Sequence, residues 1–200
     1  MAVIIGITGG IGSGKSTVCN VFKLLKVPIF EADKVAKELL NTHPKIKSGL
    51  IHQFGRKIYT ENGTVDRKNL AEVIFNDKIQ LKKINDLVHP VVREEFKKWV
   101  ANHEQYSYVI HEAAILFESG FYKMMDYTIL VSAPREKRIN WVMERDAMNR
   151  QQVEERMKNQ MPEVEKQKLA SVVLMNDNYN LLIPKIVEID KNIREHGKIW

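Results

Sequence analysis

The run Gly9-Gly10-Ile11-Gly12-Ser13-Gly14-Lys15-Ser16-Thr17 limits what this chain can fold into more than any other stretch. From Gly9 to Ser16 it satisfies G-x-x-x-x-G-K-[ST], a loop whose glycines permit tight turning and close approach of backbone N–H groups to phosphate oxygens. That chemistry needs a strand before the loop and a helix after it. Residues 2–7 form a short apolar run that reads as a buried parallel strand. Residues 15–25 carry Val18, Val21, Phe22 and Leu25 at helical spacing, so the loop opens onto a helix N-terminus with its partial positive charge. The spacing therefore predicts a phosphate site at Gly10, Ile11, Gly12, Ser13, Gly14, Lys15, Ser16 and Thr17. Lys15 is expected to reach the β and γ phosphates, and the Ser16 hydroxyl to ligate Mg²⁺. A glycine-rich turn that binds nothing would require neither residue. A dinucleotide loop would show G-x-G-x-x-G, an order that does not follow this strand.

The remaining periodicity extends the same architecture. Residues 27–30, 106–110, 127–131 and 172–175 read as four further strands, separated by stretches of helical spacing. Glu61, Asn62 and Gly63 mark a turn, and Asp66 is placed to cap a helix beginning near Arg67. A helix over 78–88 is expected to stop at His89 and Pro90, with a second helix starting there and running to 100. Ser132 is expected to cap a long helical stretch with Pro134 near its start, and residues 181–193 to form a terminal helix. Strands alternating with helices predict a three-layer α/β/α fold with a mostly parallel five-stranded sheet. Right-handed crossovers then place the strand C-termini on one edge, where ligands bind.

Composition removes several alternatives. At 200 residues the chain suits one domain, and its net charge of +6 comes from 31 basic residues interleaved with 25 acidic ones. That mixture argues against a nucleic-acid stripe. The single cysteine, Cys19, excludes an intramolecular disulfide framework and a four-cysteine zinc site. No apolar run reaches the roughly 18 residues of a membrane span, and the opening MAVIIGITGG lacks the basic start of a secretory signal. A cytoplasmic protein without membrane or nucleic-acid partners is expected, as a monomer or small homo-oligomer.

Among phosphate-loop proteins, a GTPase would offer N-K-x-D, which is missing here. A small-molecule kinase using ATP fits better, and it needs an acceptor site, a base and mobile cations. Asp33, just beyond the second strand, is the strongest candidate for the base; the plainer alternative is a helix cap, and the two roles can coexist. Glu112, read as following the third strand, could hold Mg²⁺ directly or through water, or be an ordinary polar strand end. The charged stretch 135–158 reads as a helical hairpin able to close as a lid. Within it Arg138 and Arg145 share a helix face, whereas Trp141 and Met148 are assigned to packing.

Taken together, these residues resemble the dephospho-coenzyme A kinase family over nearly the whole chain. The carriers are GITGGIGSGKST, Ala32-Asp33, Phe54-Gly55, GTVDR from Gly63 to Arg67, Leu70, Val73-Ile74-Phe75, His89-Pro90 with Arg93, EAAILFESG, and Arg138, Arg145, Arg156, Gln160 and Asn176. The resemblance implies ATP-dependent phosphorylation of the ribose 3′-hydroxyl of dephospho-coenzyme A, giving coenzyme A and ADP. It implies a core near 1–32, 101–133 and 163–200, a helical acceptor-binding region near 33–100 and a lid near 134–162. Asp33 would be the base, Lys15 the phosphate stabiliser and Arg138 a catalytic lid cation. Arg145 and Asn176 would serve the nucleotide, while Thr8, Asp33, His89 and Arg93 would serve the acceptor. Two departures are visible. Glu112 and Ala114 stand where the family often has Asp and, two residues later, Pro; Ala170-Ser171 stands where Ala-Asp is common. Rival readings are a nucleoside or nucleoside-monophosphate kinase, and a nucleotide-controlled nucleic-acid-binding module.

Overall fold

A computed structural model of the chain describes residues 2–74 and 77–200; Phe75, one carrier of the family resemblance, lies outside them. The described strands are β1 (Val3–Thr8), β2 (Ile29–Glu31), β3 (Tyr108–Glu112), β4 (Tyr127–Ser132) and β5 (Val172–Met175). The helices are α1 (Lys15–Leu24), α2 (Ala32–Thr42), α3 (Pro44–Phe54), α4 (Arg67–Ile74), α5 (Lys78–Ala101), α6 (Arg135–Asp146), α7 (Arg150–Lys158), α8 (Glu163–Leu169) and α9 (Leu182–His196). The strands form one sheet of order β2-β3-β1-β4-β5, parallel at every pairing. This is the α/β fold expected from the alternation. Strand β1 is central, and the strand order reverses there between β3 and β4, the position at which such sheets open a crevice.

The two faces of β1 are covered differently because its side chains alternate. Ile5 and Ile7 join Val18 and Phe22 of α1 and Ile186, Ile189 and Ile193 of α9 in the main core. On the other face, Gly6 lets Leu116 pack against bare backbone: a Cβ there would stand 2.7 Å from the Leu116 Cδ2. Beside it the His111 ring stacks between Phe30 and Phe121, at centroid distances of 5.6 and 5.0 Å. Cys19 is buried in α1, and burial pushes its thiol up to about 11.

The chain divides into two compact units: one runs up to Glu31 and resumes over Val100–Trp200, and the other is Ala32–Trp99. In the second unit, the Tyr59 hydroxyl donates to the Leu40 carbonyl at 2.8 Å, and the Val65 N–H donates to Asn41 Oδ1 at 2.8 Å. Asp66 caps α4 as expected, its Oδ1 accepting the N–H groups of Lys68 and Asn69 at 3.0 and 3.1 Å.

Four local expectations are corrected. Helix α5 runs unbroken through His89 and Pro90. Proline there deprives the Asp86 carbonyl of its helical partner, but the stripe Ile84, Val88, Val91, Val92 and Phe96 is buried on both sides and holds the helix together. Ser132 belongs to β4 rather than to a cap; its carbonyl accepts the Asn176 N–H at 2.7 Å, and Pro134 precedes α6. Glu112 is the last residue of β3, not a residue beyond it. Asp33 stands inside the first turn of α2, which already begins at Ala32, so it is not the cap.

Burial holds the His111 imidazole down at about 4, against an ordinary 6.5. The unfolded chain therefore binds a proton between these values that the folded chain refuses. Stability from neutral His111 is complete above pH 6.5 and is lost as pH falls toward 4. We expect His111→Phe to flatten the dependence of unfolding free energy on pH across that window, by up to about 3 kcal/mol. Urea titrations at several pH values measure this; an unchanged slope would reject the assignment.

Candidate active site

Strand β1 ends at Thr8, which is fully buried and donates its hydroxyl to the Ala114 carbonyl at 3.3 Å. The chain then turns over residues 9–14 and enters α1. Gly12 and Gly14 hold φ of 77° and 89°, which side chains resist, and a Cβ on Gly14 would stand 2.2 Å from Asn176 Nδ2. The loop carbonyls are satisfied from behind. Ile11 O accepts Arg138 Nε at 2.9 Å, Ser13 O accepts Asn176 Nδ2 at 3.0 Å, and Gly10 O accepts the Ser13 N–H at 3.0 Å. The Ile11 N–H donates to Gln160 Oε1 at 2.9 Å. By contrast, the N–H groups of Gly12, Gly14 and Ser16 donate to nothing among the described residues, and neither does the buried Ser13 hydroxyl. Donors left open at a helix N-terminus, on a loop with glycine at positions 9, 10, 12 and 14, fit an oligophosphate.

These residues line a pocket of about 680 Å³, completed by Ala114, Trp141, Val142, Arg145, Gln160, Asn176 and Asn178. Lys15 forms an ion pair with Glu112, both side chains 14% exposed. Ser16 and Thr17 face the same pocket and are exposed. Arg138 is 7% exposed and bridges the loop to α8, its Nη1 lying 2.9 Å from Glu163 Oε2. It borders a separate cavity of about 210 Å³, whereas Arg145, paired with Asp146 at 2.7 Å, borders the main pocket. The two arginines share α6 but not their partners.

The expectation that Trp141 only packs the hairpin is corrected, because Trp141 lines the pocket. Helix α6 ends at Asp146 and Ala147 turns at φ 52°, so the heptad relation between Trp141 and Met148 has no helix to act through. Met148 does pack against the hairpin's core of Ile139, Val142 and Val153. Gln160 and Asn178 also enter the pocket unannounced. Gln160 was visible only through the family resemblance, and no local pattern marks Asn178. The hairpin's outer charges mostly pair with one another, as Arg150 does with Glu136 at 2.8 Å and Glu154 at 3.1 Å.

Two conspicuous stretches acquire physical roles. Glu118 of EAAILFESG pairs with fully buried Lys166 at 2.9 Å and accepts the Met161 N–H at 3.0 Å. Ser171 keeps a local bond where a carboxylate is common: its hydroxyl accepts the Thr128 N–H, and its own N–H returns to the Thr128 hydroxyl, each at 3.0 Å. In the second unit, Asp33 is half-buried in the first turn of α2, where the helix dipole favours negative charge. His89 and Arg93 lie one turn apart on α5. Burial first, and then the Arg93 charge, lower the His89 imidazole, while Asp86 opposes them.

A family model described as dephospho-CoA kinase matches residues 3–181. The dephospho-CoA kinase of Bacteroides fragilis is 36% identical over 189 residues, covering 94% of this chain and 92% of that protein. The chain belongs to the dephospho-CoA kinase family. A crystal structure of a Thermus thermophilus protein superposes with a TM-score of 0.81 at 33% identity, covering 98% of both chains. The Campylobacter jejuni dephospho-CoA kinase gives 0.73 at 25% identity, covering 99% of this chain and 100% of that one. Family membership makes the chain an ATP-using kinase of the last step of coenzyme A biosynthesis. Among the described residues, no helix is long and apolar enough to cross a membrane.

Removing the Glu118 carboxylate would strand the Lys166 ammonium in the interior. We expect Glu118→Gln to cost about 3 kcal/mol, the low end for a broken buried pair because Glu118 is 22% exposed. Adding Lys166→Met should restore part of that loss. Equilibrium denaturation of both variants decides it, and equal stability of parent and Glu118→Gln would contradict the pairing.

Proposed function

We propose that the chain transfers the γ-phosphoryl group of ATP to the ribose 3′-hydroxyl of dephospho-coenzyme A, releasing ADP and coenzyme A. The observation that carries this reading is the set of open loop amides at Gly12, Gly14 and Ser16 in a chain of this family. Phosphoryl transfer asks the protein chiefly for position and for charge where charge gathers. The loop amides and Lys15 hold the β and γ phosphates, with Lys15 exchanging its Glu112 partner for phosphate oxygens. Arg145 adds a cation from the hairpin, which acts as the lid. Arg138 keeps the loop in shape through the Ile11 carbonyl and stands as the second lid cation. Asn176 braces the loop through the Ser13 carbonyl at the nucleotide end.

Asp33 accepts or orients the proton of the 3′-hydroxyl, in a transition state that needs little early deprotonation. Thr8, His89 and Arg93 serve the acceptor side. Mg²⁺, when bound, neutralises phosphate charge. No group of three or more His, Cys, Asp or Glu side chains that could hold a metal occurs among the described residues; the Ser16 hydroxyl and Glu112 are the groups that would hold Mg²⁺ beside the phosphates. The free thiol of Cys19 suits a reducing compartment, and we assign the activity to the cytoplasm.

The test is a magnesium-dependent assay with ATP and dephospho-coenzyme A, with AMP and adenosine as competing acceptors and the product followed by mass. Selective gain of one phosphoryl group on the 3′-oxygen is expected; preferential transfer to AMP or adenosine would overturn the reading. Asp33→Asn should lower kcat about a hundredfold or more while ATP affinity stays near the parent value. Lys15→Ala should harm both. Parent-like turnover by Asp33→Asn would remove the assigned base.

A further inference from the structure

We infer that the groove between α2 and α4 seats the diphosphate and pantetheine arm of the acceptor, with Lys37 and Arg67 holding the diphosphate; this rests on the acceptor assigned above. Asp33, Lys37 and Leu40 recur along α2 at the spacing of one helix face. A rise of about 1.5 Å per residue sets Lys37 roughly 6 Å and Leu40 roughly 10 Å along the axis from Asp33. From Lys37 onward this face borders a cavity of about 240 Å³, whose other walls are Val65, Arg67, Leu70 and Ala71.

The lining carries two cations and no carboxylate. Neither the Lys37 ammonium nor the Arg67 guanidinium makes an ion pair or hydrogen bond among the described residues, unlike Arg135, Arg138, Arg145 and Arg150 of the hairpin. Asp66, next to Arg67, is occupied in capping α4 and does not neutralise it. Asn41 ties the walls together, accepting the Val65 N–H at 2.8 Å and donating to the Lys37 carbonyl at 3.1 Å. Beyond the cations the lining is mostly apolar.

The order along the helix face is carboxylate, cations, apolar slot. Starting from its reacting 3′-hydroxyl, dephospho-coenzyme A presents a diphosphate and then a long arm with a dimethyl-substituted carbon. The two sequences correspond, and charge-assisted bonds from uncommitted cations are the strong class for phosphate. This also gives the GTVDR stretch a use: its turn presents Val65 to Asn41, its aspartate caps α4, and its arginine reaches the groove.

The test separates this site from the reaction itself. In steady-state kinetics, Lys37→Ala and Arg67→Ala should each raise KM for dephospho-coenzyme A about tenfold, with KM for ATP unchanged. Ala71→Phe, which fills the slot, should do the same. Lys68→Ala, an exposed neighbour outside the groove, should match the parent. By calorimetry, 4′-phosphopantetheine, which has the phosphate and arm but no ribose, should bind the parent and lose about tenfold in affinity in the Lys37 and Arg67 variants. Parent-like KM and parent-like calorimetry in both charge variants would overturn the groove assignment. A parent that binds 4′-phosphopantetheine through Lys37 and Arg67 yet transfers no phosphoryl group to dephospho-coenzyme A would overturn the reaction and leave the groove standing.

Discussion

A phosphate-binding loop works only while several of its amide hydrogens remain unsatisfied, here those of Gly12, Gly14 and Ser16, and much of the first unit serves that requirement. Open donors in a folded chain are unfavourable unless the surrounding structure prevents the loop from collapsing onto itself. Here the loop's carbonyls are engaged from outside by Arg138, Asn176 and the first turn of α1. Each of these supports is fixed in turn: Arg138 by Glu163, Asn176 by the Ser132 carbonyl at the end of β4, and α1 by the core it shares with α9. Strand order, hairpin and terminal helix thus converge on the same few backbone atoms.

Electrostatics follows the same economy. Before phosphate arrives, the loop cation Lys15 is paired with Glu112, which lies opposite Ile7 at the end of the neighbouring strand. A cation this little exposed would be costly without a partner. The carboxylate lowers that cost and keeps the ammonium at the loop. On the hairpin surface the many charges pair among themselves in water, where each pair contributes little, so only the inward residues matter to a ligand.

Much of this was legible in the sequence because it depends on local rules. The loop, the five strands and the Asp66 cap each follow from spacing and residue type within a few positions. The failures came where distant packing overrides a local preference. Pro90 looked like a helix start, but the buried stripe on either side carries α5 through it. Ser132 looked like a cap, but the sheet and Asn176 claim it. Trp141 was misread because its spacing to Met148 implied a helix that Ala147 ends. The Glu118–Lys166 pair joins residues far apart in the chain, and no periodicity can announce it.

Cys19 sits one turn behind the phosphate loop, buried and with its thiol pushed up to about 11. At neutral pH almost none of it is thiolate, the form that electrophiles and peroxides attack. The chain's single sulfhydryl is therefore chemically quiet while α1 is packed and becomes reactive when α1 opens. Alkylation of the native protein is therefore expected to report the population of opened molecules.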